Sequence, residues 1–193
     1  MRRMSRCIVL PLLALLLYGC GGESYTPKPR AYYRIDLPEH AYQRWDTNYP
    51  YAFDYSSYAQ VIPRDDPSAE PYWMNIYYPD WNATLHISYK PVRDNLEQLL
   101  DDARFFTTKQ IPKAEDLIET DVRDTASHVY GKVYEFTGQH VACTYQFWLT
   151  DREKHFFRAA LYFHTVPNND SLAPVQQFIR TDMERMIGSF RWK

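Results

Sequence analysis

An α+β fold, an antiparallel sheet with flanking helices, is predicted by three features of the sequence. Alternating apolar runs read as strands at 72–78, 83–90, 128–137, 141–150 and 155–165. Two helical stripes interrupt and close that series, one beginning at Asp94 or Asn95 and one after Asn168. Ahead of them, eight of the 13 prolines fall between Tyr25 and Pro79, a density that excludes long helices and central strands. With 193 residues, 45% hydrophobic and 24% charged, the composition is that of one folded domain and excludes wholesale disorder.

The N-terminus is a targeting segment. Arg2, Arg3 and Arg6 precede an uncharged run from Cys7 to Gly22, with Ile8–Leu17 at its heart. A membrane span needs about 20 apolar residues, so the run suits a signal h-region better than a transmembrane helix. It ends Leu17-Tyr18-Gly19-Cys20, which resembles a bacterial lipobox, although Tyr18 is bulkier than is usual there. The expected organisation is a signal peptide at 1–19, a lipidated tether at 20–30 and a single globular domain at 31–193. Within that domain, 31–71 forms a Pro/Tyr-rich wrapping segment. Cleavage before Cys20 removes three arginines and no acids, taking the net charge from −2 to −5. Each acyl methylene buried contributes about 0.8 kcal/mol, so several chains on Cys20 anchor stably where one would not. Cys143 is then the only other cysteine of the mature chain, and no intrachain disulfide is possible.

Each element follows from a local pattern. Within the wrapping segment, short strands are expected near 51–55 and 59–63, and 64–71 is a loop by composition. Leu85, Ile87 and Tyr89 share one strand face after a turn at 79–82. Asp94 or Asn95 caps the first helix, with Glu97 as capping-box partner, and Leu96, Leu99, Leu100, Ala103 and Phe106 form its apolar stripe. Another strand is expected near 115–123. Val141, Cys143, Tyr145, Phe147 and Leu149 alternate cleanly, as do Phe157, Ala159, Leu161 and Phe163. The last helix carries Val175, Phe178, Ile179, Met183, Met186 and Phe190 on one side, with Ser171 at its N-cap. This order is similar to the PsbP/Mog1 type of α/β/α sandwich.

The same residues exclude several chemistries. No glycine lies between Gly22 and Gly131, so a dinucleotide loop, a P-loop and a GxSxG elbow have no place after the N-terminus. The acidic net charge argues against nucleic-acid binding. No HxxxH or HExxH occurs, and His140 and Cys143 are spaced to opposite faces of a strand, so no metal site and no cofactor is expected. Cys143, among apolar neighbours, reads as a core thiol. Asp65-Asp66 and Asp101-Asp102 are adjacent pairs that do not face each other. The aromatics are the unexplained feature: Tyr, Phe and Trp make up 17% of the chain, and ten rings crowd residues 25–58. They either pack the wrapping segment onto the sheet or present Tyr32, Tyr33, Tyr42 and Trp45 to a protein partner or glycan, at low entropy cost.

The runs Tyr25–Pro38, Ile87–Lys90 with Asn95-Leu96, Phe147–Asp151, Lys154–Phe163 and Pro167–Val175 together resemble the gliding-motility lipoprotein family GldD of Bacteroidota. Their order and spacing cover nearly the whole mature chain. The resemblance implies a non-enzymatic, lipid-anchored accessory or assembly component of the gliding and type IX secretion machinery. Its partners would be the membrane, through the anchor, and other envelope proteins of that machinery. A glycan- or peptidoglycan-binding envelope lipoprotein is the alternative. Only one acid follows the lipobox, in Gly21-Gly22-Glu23-Ser24, which favours a periplasmic face in the inner or outer membrane. Asp124-Thr125-Ala126 and Asp170-Ser171-Leu172 resemble the O-glycosylation motif of that phylum, and Thr125 is preferred because Ser171 is expected to cap a helix. Anchoring gives the first prediction. Cys20→Ala abolishes palmitate labelling and releases or misprocesses the protein, and a mutant that still labels and pellets with membranes refutes the lipobox.

Overall fold

A computed structural model describes residues 35–165 and 168–193. Ten strands and two helices occur in chain order: β1 Tyr42–Trp45, β2 Tyr51–Ser56, β3 Gln60–Pro63, β4 Met74–Tyr78, β5 Ala83–Pro91, α1 Leu96–Thr108, β6 Asp116–Asp124, β7 Val129–Thr137, β8 Tyr145–Thr150, β9 His155–Phe163, α2 Asn169–Ser189 and β10 Arg191–Trp192. Seven strands form one sheet in the order β3-β4-β5-β9-β8-β7-β6, and β1-β2-β10 form a second. Every pairing is antiparallel. The chain leaves β5 mid-sheet, passes through α1 to the far edge at β6, and returns strand by strand until β9 lies beside β5.

Side-chain alternation divides the large sheet into two faces. Met74, Ile76, Leu85, Ile87, Phe147, Leu149, Phe157 and Leu161 join Val175, Phe178, Ile179, Met183 and Met186 of α2 in the main core, to which Tyr51 and Phe53 of β2 also belong. Phe157 meets Tyr51 and Phe190 edge-on, each at 5.0 Å between centroids. Burying an aromatic ring of this kind contributes about 1.5–3 kcal/mol. The opposite face carries α1, seated through Leu99 and Ala103 on Phe156.

Several local expectations are corrected. Residues 42–45 form a strand rather than irregular wrapping, because β2 supplies a partner with Tyr42 opposite Ser56. Asn95 occupies the N-cap of α1 without capping it; its Oδ1 accepts the Arg93 N–H at 2.8 Å, so the capping box with Glu97 does not form. Phe106 belongs to the predicted stripe yet is 44% exposed, because the buried row steps to Thr107 instead. Tyr72 precedes β4 with a φ of 67°, and β8 starts at Tyr145, leaving buried Val141 and Cys143 in the loop before it. The last helix begins at Asn169, which places Ser171 in its first turn and Asn168 at the N-cap.

One glycine sets a sheet spacing. A Cβ added at Gly131 in β7 would lie 2.1 Å from the Trp148 carbonyl oxygen of β8 and 2.7 Å from Leu149 Cδ2. Backbone must move to admit it. Gly131→Ala is therefore expected to destabilise the fold by about 1–3 kcal/mol, measured as a lower denaturation midpoint; an unchanged midpoint would show that β7 and β8 can separate freely.

Candidate functional site

The structure brings the first described residues onto α2 through a buried carboxylate. Asp182 is 1% exposed, in the row between Phe178 and Met186 that packs on the sheet. His40, ahead of β1, donates Nδ1–H to Asp182 Oδ1 at 2.8 Å, while Tyr78 of β4 donates its hydroxyl to Oδ2 at 3.3 Å. The hydroxyls of Ser56 and Tyr42 stand beside the same group. Burial raises the Asp182 pKa against the opposing pull of these partners. Burial and the neighbouring Asp182 carboxylate push Tyr42 up to about 12.

The contacts around this carboxylate clamp residues 35–58. The His40 ring stacks on Phe178 at 4.2 Å. The Tyr58 hydroxyl donates to the Glu39 carbonyl, and the Ser57 N–H to that of Ala41. Arg44 and Arg185 converge on Asp54, Arg185 at 2.6 Å, and hold its carboxyl below the usual range despite burial. Tyr42 and Trp45 are half-buried: Tyr42 lies beside Asp182 under the Arg185 guanidinium, and Trp45 meets Tyr49 edge-on at 5.4 Å. Cys20, Tyr32 and Tyr33 lie outside the described residues.

Other predicted positions fall elsewhere. Thr125 is exposed in the β6–β7 turn, next to Asp124, whose carboxylate accepts the Ala126 and Ser127 N–H groups. Ser171 is half-buried. Cys143 is fully buried, and burial pushes its thiol up to about 11, so at neutral pH it is protonated and a poor nucleophile. His86, His155 and His164 bond to Asn75, Tyr89 and Thr84 respectively. Among the described residues, no three His, Cys, Asp or Glu side chains come together as metal ligands.

Fold and site define a small α+β body entered through a clamped N-terminal segment. The chain belongs to the family described as gliding motility lipoprotein GldD, whose model matches residues 22–192. No curated protein matches the sequence. Among solved structures, the solution structure of cyanobacterial PsbP from Synechocystis sp. PCC 6803 is similar at 17% identity and a TM-score of 0.49, over 83% of this chain and 98% of that one. Among the described residues no helix is long and apolar enough to cross a membrane.

The clamp has a measurable pH signature. A raised Asp182 pKa means that the folded state holds a proton which the unfolded chain releases. Its contribution to stability is complete below the ordinary carboxylate value and is lost as pH rises through the folded value. Asp182→Asn therefore removes a downward slope of stability with rising pH, starting near the ordinary carboxylate value of 3.8. Denaturation of both proteins across that window tests this, and parallel profiles refute it. His40→Ala should cost about 1–2 kcal/mol by removing a partner of a buried charge, and should open residues 35–41 to protease.

Proposed function

We propose that this protein is a lipid-anchored, non-enzymatic accessory or assembly component of the gliding and type IX secretion machinery, held by Cys20 and facing the periplasm. The observation that carries this reading is the family match over residues 22–192, which starts two residues after the lipobox cysteine. In this reading, residues 1–19 are removed, 20–30 tether the body to the bilayer, and 31–193 form the working domain. The clamp on Asp182 supports it by holding residues 35–58, the first part of the described chain, to α2. Thr125, exposed at a turn, is the proposed glycosylation site in preference to Ser171, which lies within a helix. The protonated, buried state of Cys143 supports a structural role for the only cysteine of the body.

A second reading, glycan binding, draws support from one cavity of about 540 Å³ between α1 and β6–β8, where Tyr130, Trp148, Arg123 and Arg152 meet. The Arg152 guanidinium covers the Tyr130 ring at 3.9 Å, which leaves less aromatic face for a sugar.

Crosslinking of the native lipoprotein in living cells, followed by purification, separates the readings. Integral-membrane secretion proteins should be captured, and a deletion strain should regain secretion with Cys143→Ala at normal protein level. Quenching of tryptophan fluorescence by peptidoglycan fragments, without such captures, would establish the glycan reading instead. A Cys143→Ala protein present at normal level but unable to rescue would revive catalysis.

A further inference from the structure

On the face of the sheet away from Asp182, β9 carries one charge. Arg158 lies opposite Ser88 of β5 and Trp148 of β8, in a strand otherwise apolar for most of its length. Its Nη2 donates to Gln146 Oε1 at 2.7 Å, and its guanidinium lies 4.6 Å from the Phe106 ring centroid. A guanidinium has five N–H donors and matches a carboxylate in bidentate fashion. Among the described residues no carboxylate forms an ion pair with it; its ionisable neighbours are Cys143 and Tyr162. Burial raises the pKa of both, the thiol to about 11, so at neutral pH neither supplies a counter-ion.

Beside Arg158 the structure leaves a cleft of about 350 Å³ between α1 and the β4–β5 side of the sheet. Phe105 and Phe106 form one wall, 56% and 44% exposed, with rings 5.9 Å apart. Trp73 and Lys90 form the other. Lys109 lies 4.2 Å from the Phe105 ring centroid. Lys90 is paired with Glu70. Asp102 is the one acid in the lining, and it stands on the helix wall. Two partly exposed rings thus stand beside a cation that is held by an amide and a ring face and that no carboxylate pairs with among the described residues. An occupant that brings an apolar side chain and a carboxylate would cover the exposed ring surface and give the guanidinium the charged partner it lacks among the described residues.

We propose that this cleft docks an acidic segment of a partner protein, an Asp or Glu flanked by aromatic or aliphatic residues, with the carboxylate on Arg158 and the apolar side chain between Trp73 and the two phenylalanines. The inference rests on the reading of the protein as an accessory or assembly component, but its test is independent of motility or secretion. The full mature lipoprotein in detergent is titrated calorimetrically with the acetylated, amidated peptide Gly-Phe-Asp-Phe-Gly and with its Asn counterpart. The acidic peptide should bind about tenfold or more tightly than the amide, the margin of a charge-assisted bidentate pair. Phe105→Asp, at an exposed position, should abolish that binding. Arg158→Gln should erase the difference between the peptides, while Arg158→Lys retains part of it. Equal affinity for the two peptides, or no heat from either, overturns the proposal whether or not the Arg158 variants fold. Inorganic phosphate competing as well as the acidic peptide also overturns it, in favour of a simple anion site.

Discussion

The pairing of β5 with β9 holds the two halves of this chain together. Nine residue pairs, from Ala83 opposite Phe163 to Pro91 opposite His155, bring together segments separated by the whole of α1 and three strands. Closing such a loop costs chain entropy that local contacts cannot repay. The cost is offset because this pairing sets Leu85 and Ile87 beside Leu161 and Ala159 at the centre of the core, directly under α2. Without it, β3–β5 and β6–β9 would be two small sheets, each with an open apolar face.

The same pairing distributes charge unequally between the faces. On the α2 side the buried polar group is Asp182, surrounded by His40, Tyr42, Ser56 and Tyr78. Burying such a charge costs several kcal/mol even with partners, and packed apolar groups would serve stability as well or better. What Asp182 does that a leucine could not is choose which segment lies over it: only a donor fits, and His40 brings one. On the α1 side Arg158 has an amide oxygen and a ring face, and no carboxylate pairs with it among the described residues. One face meets its buried charge with several polar groups of the chain, and the other meets its cation with an amide and a ring.

How much of this is legible in the sequence depends on the length scale of the signal. Strands such as 83–91 and 155–163 declare themselves by period-two alternation, and α2 by the spacing of Val175, Phe178, Ile179, Met183 and Met186. Four-residue β1 carries too little pattern to separate from its Pro- and Tyr-rich surroundings, and its partner sets its structure. Phe106 satisfies the helical period but not the packing, since α1 presents Thr107 to Gln146 of the sheet. The buried Asp182 and the partly buried Arg158 leave a trace that periodicity alone passes over. Asp182 stands four residues after Phe178 and four before Met186, on the apolar row, and Arg158 is the lone charge within the apolar part of its strand. A charge on the buried side of an amphipathic element is a sequence signal for a partnered site. Which residue partners it depends on the tertiary fold, as His40, 142 positions from Asp182, shows.

The N-terminal aromatics divide along the same line between packing and recognition. Tyr51 and Phe53 have no exposed surface, and their rings close the core against Phe157 and Phe190. Tyr42 is partly exposed but spends its hydroxyl beside Asp182. A ring so engaged offers a partner little that is not already used. Phe105 and Phe106, more than sixty positions further along the chain from Tyr42, keep 56% and 44% of their surface exposed. Among the described residues, the aromatics at 42–58 are thus largely engaged with the chain's own core, and the exposed rings of α1 lie next to a cation. The clamp at His40 and the guanidinium of Arg158 lie on opposite sides of the seven-stranded sheet, one packed under α2 and the other beside α1.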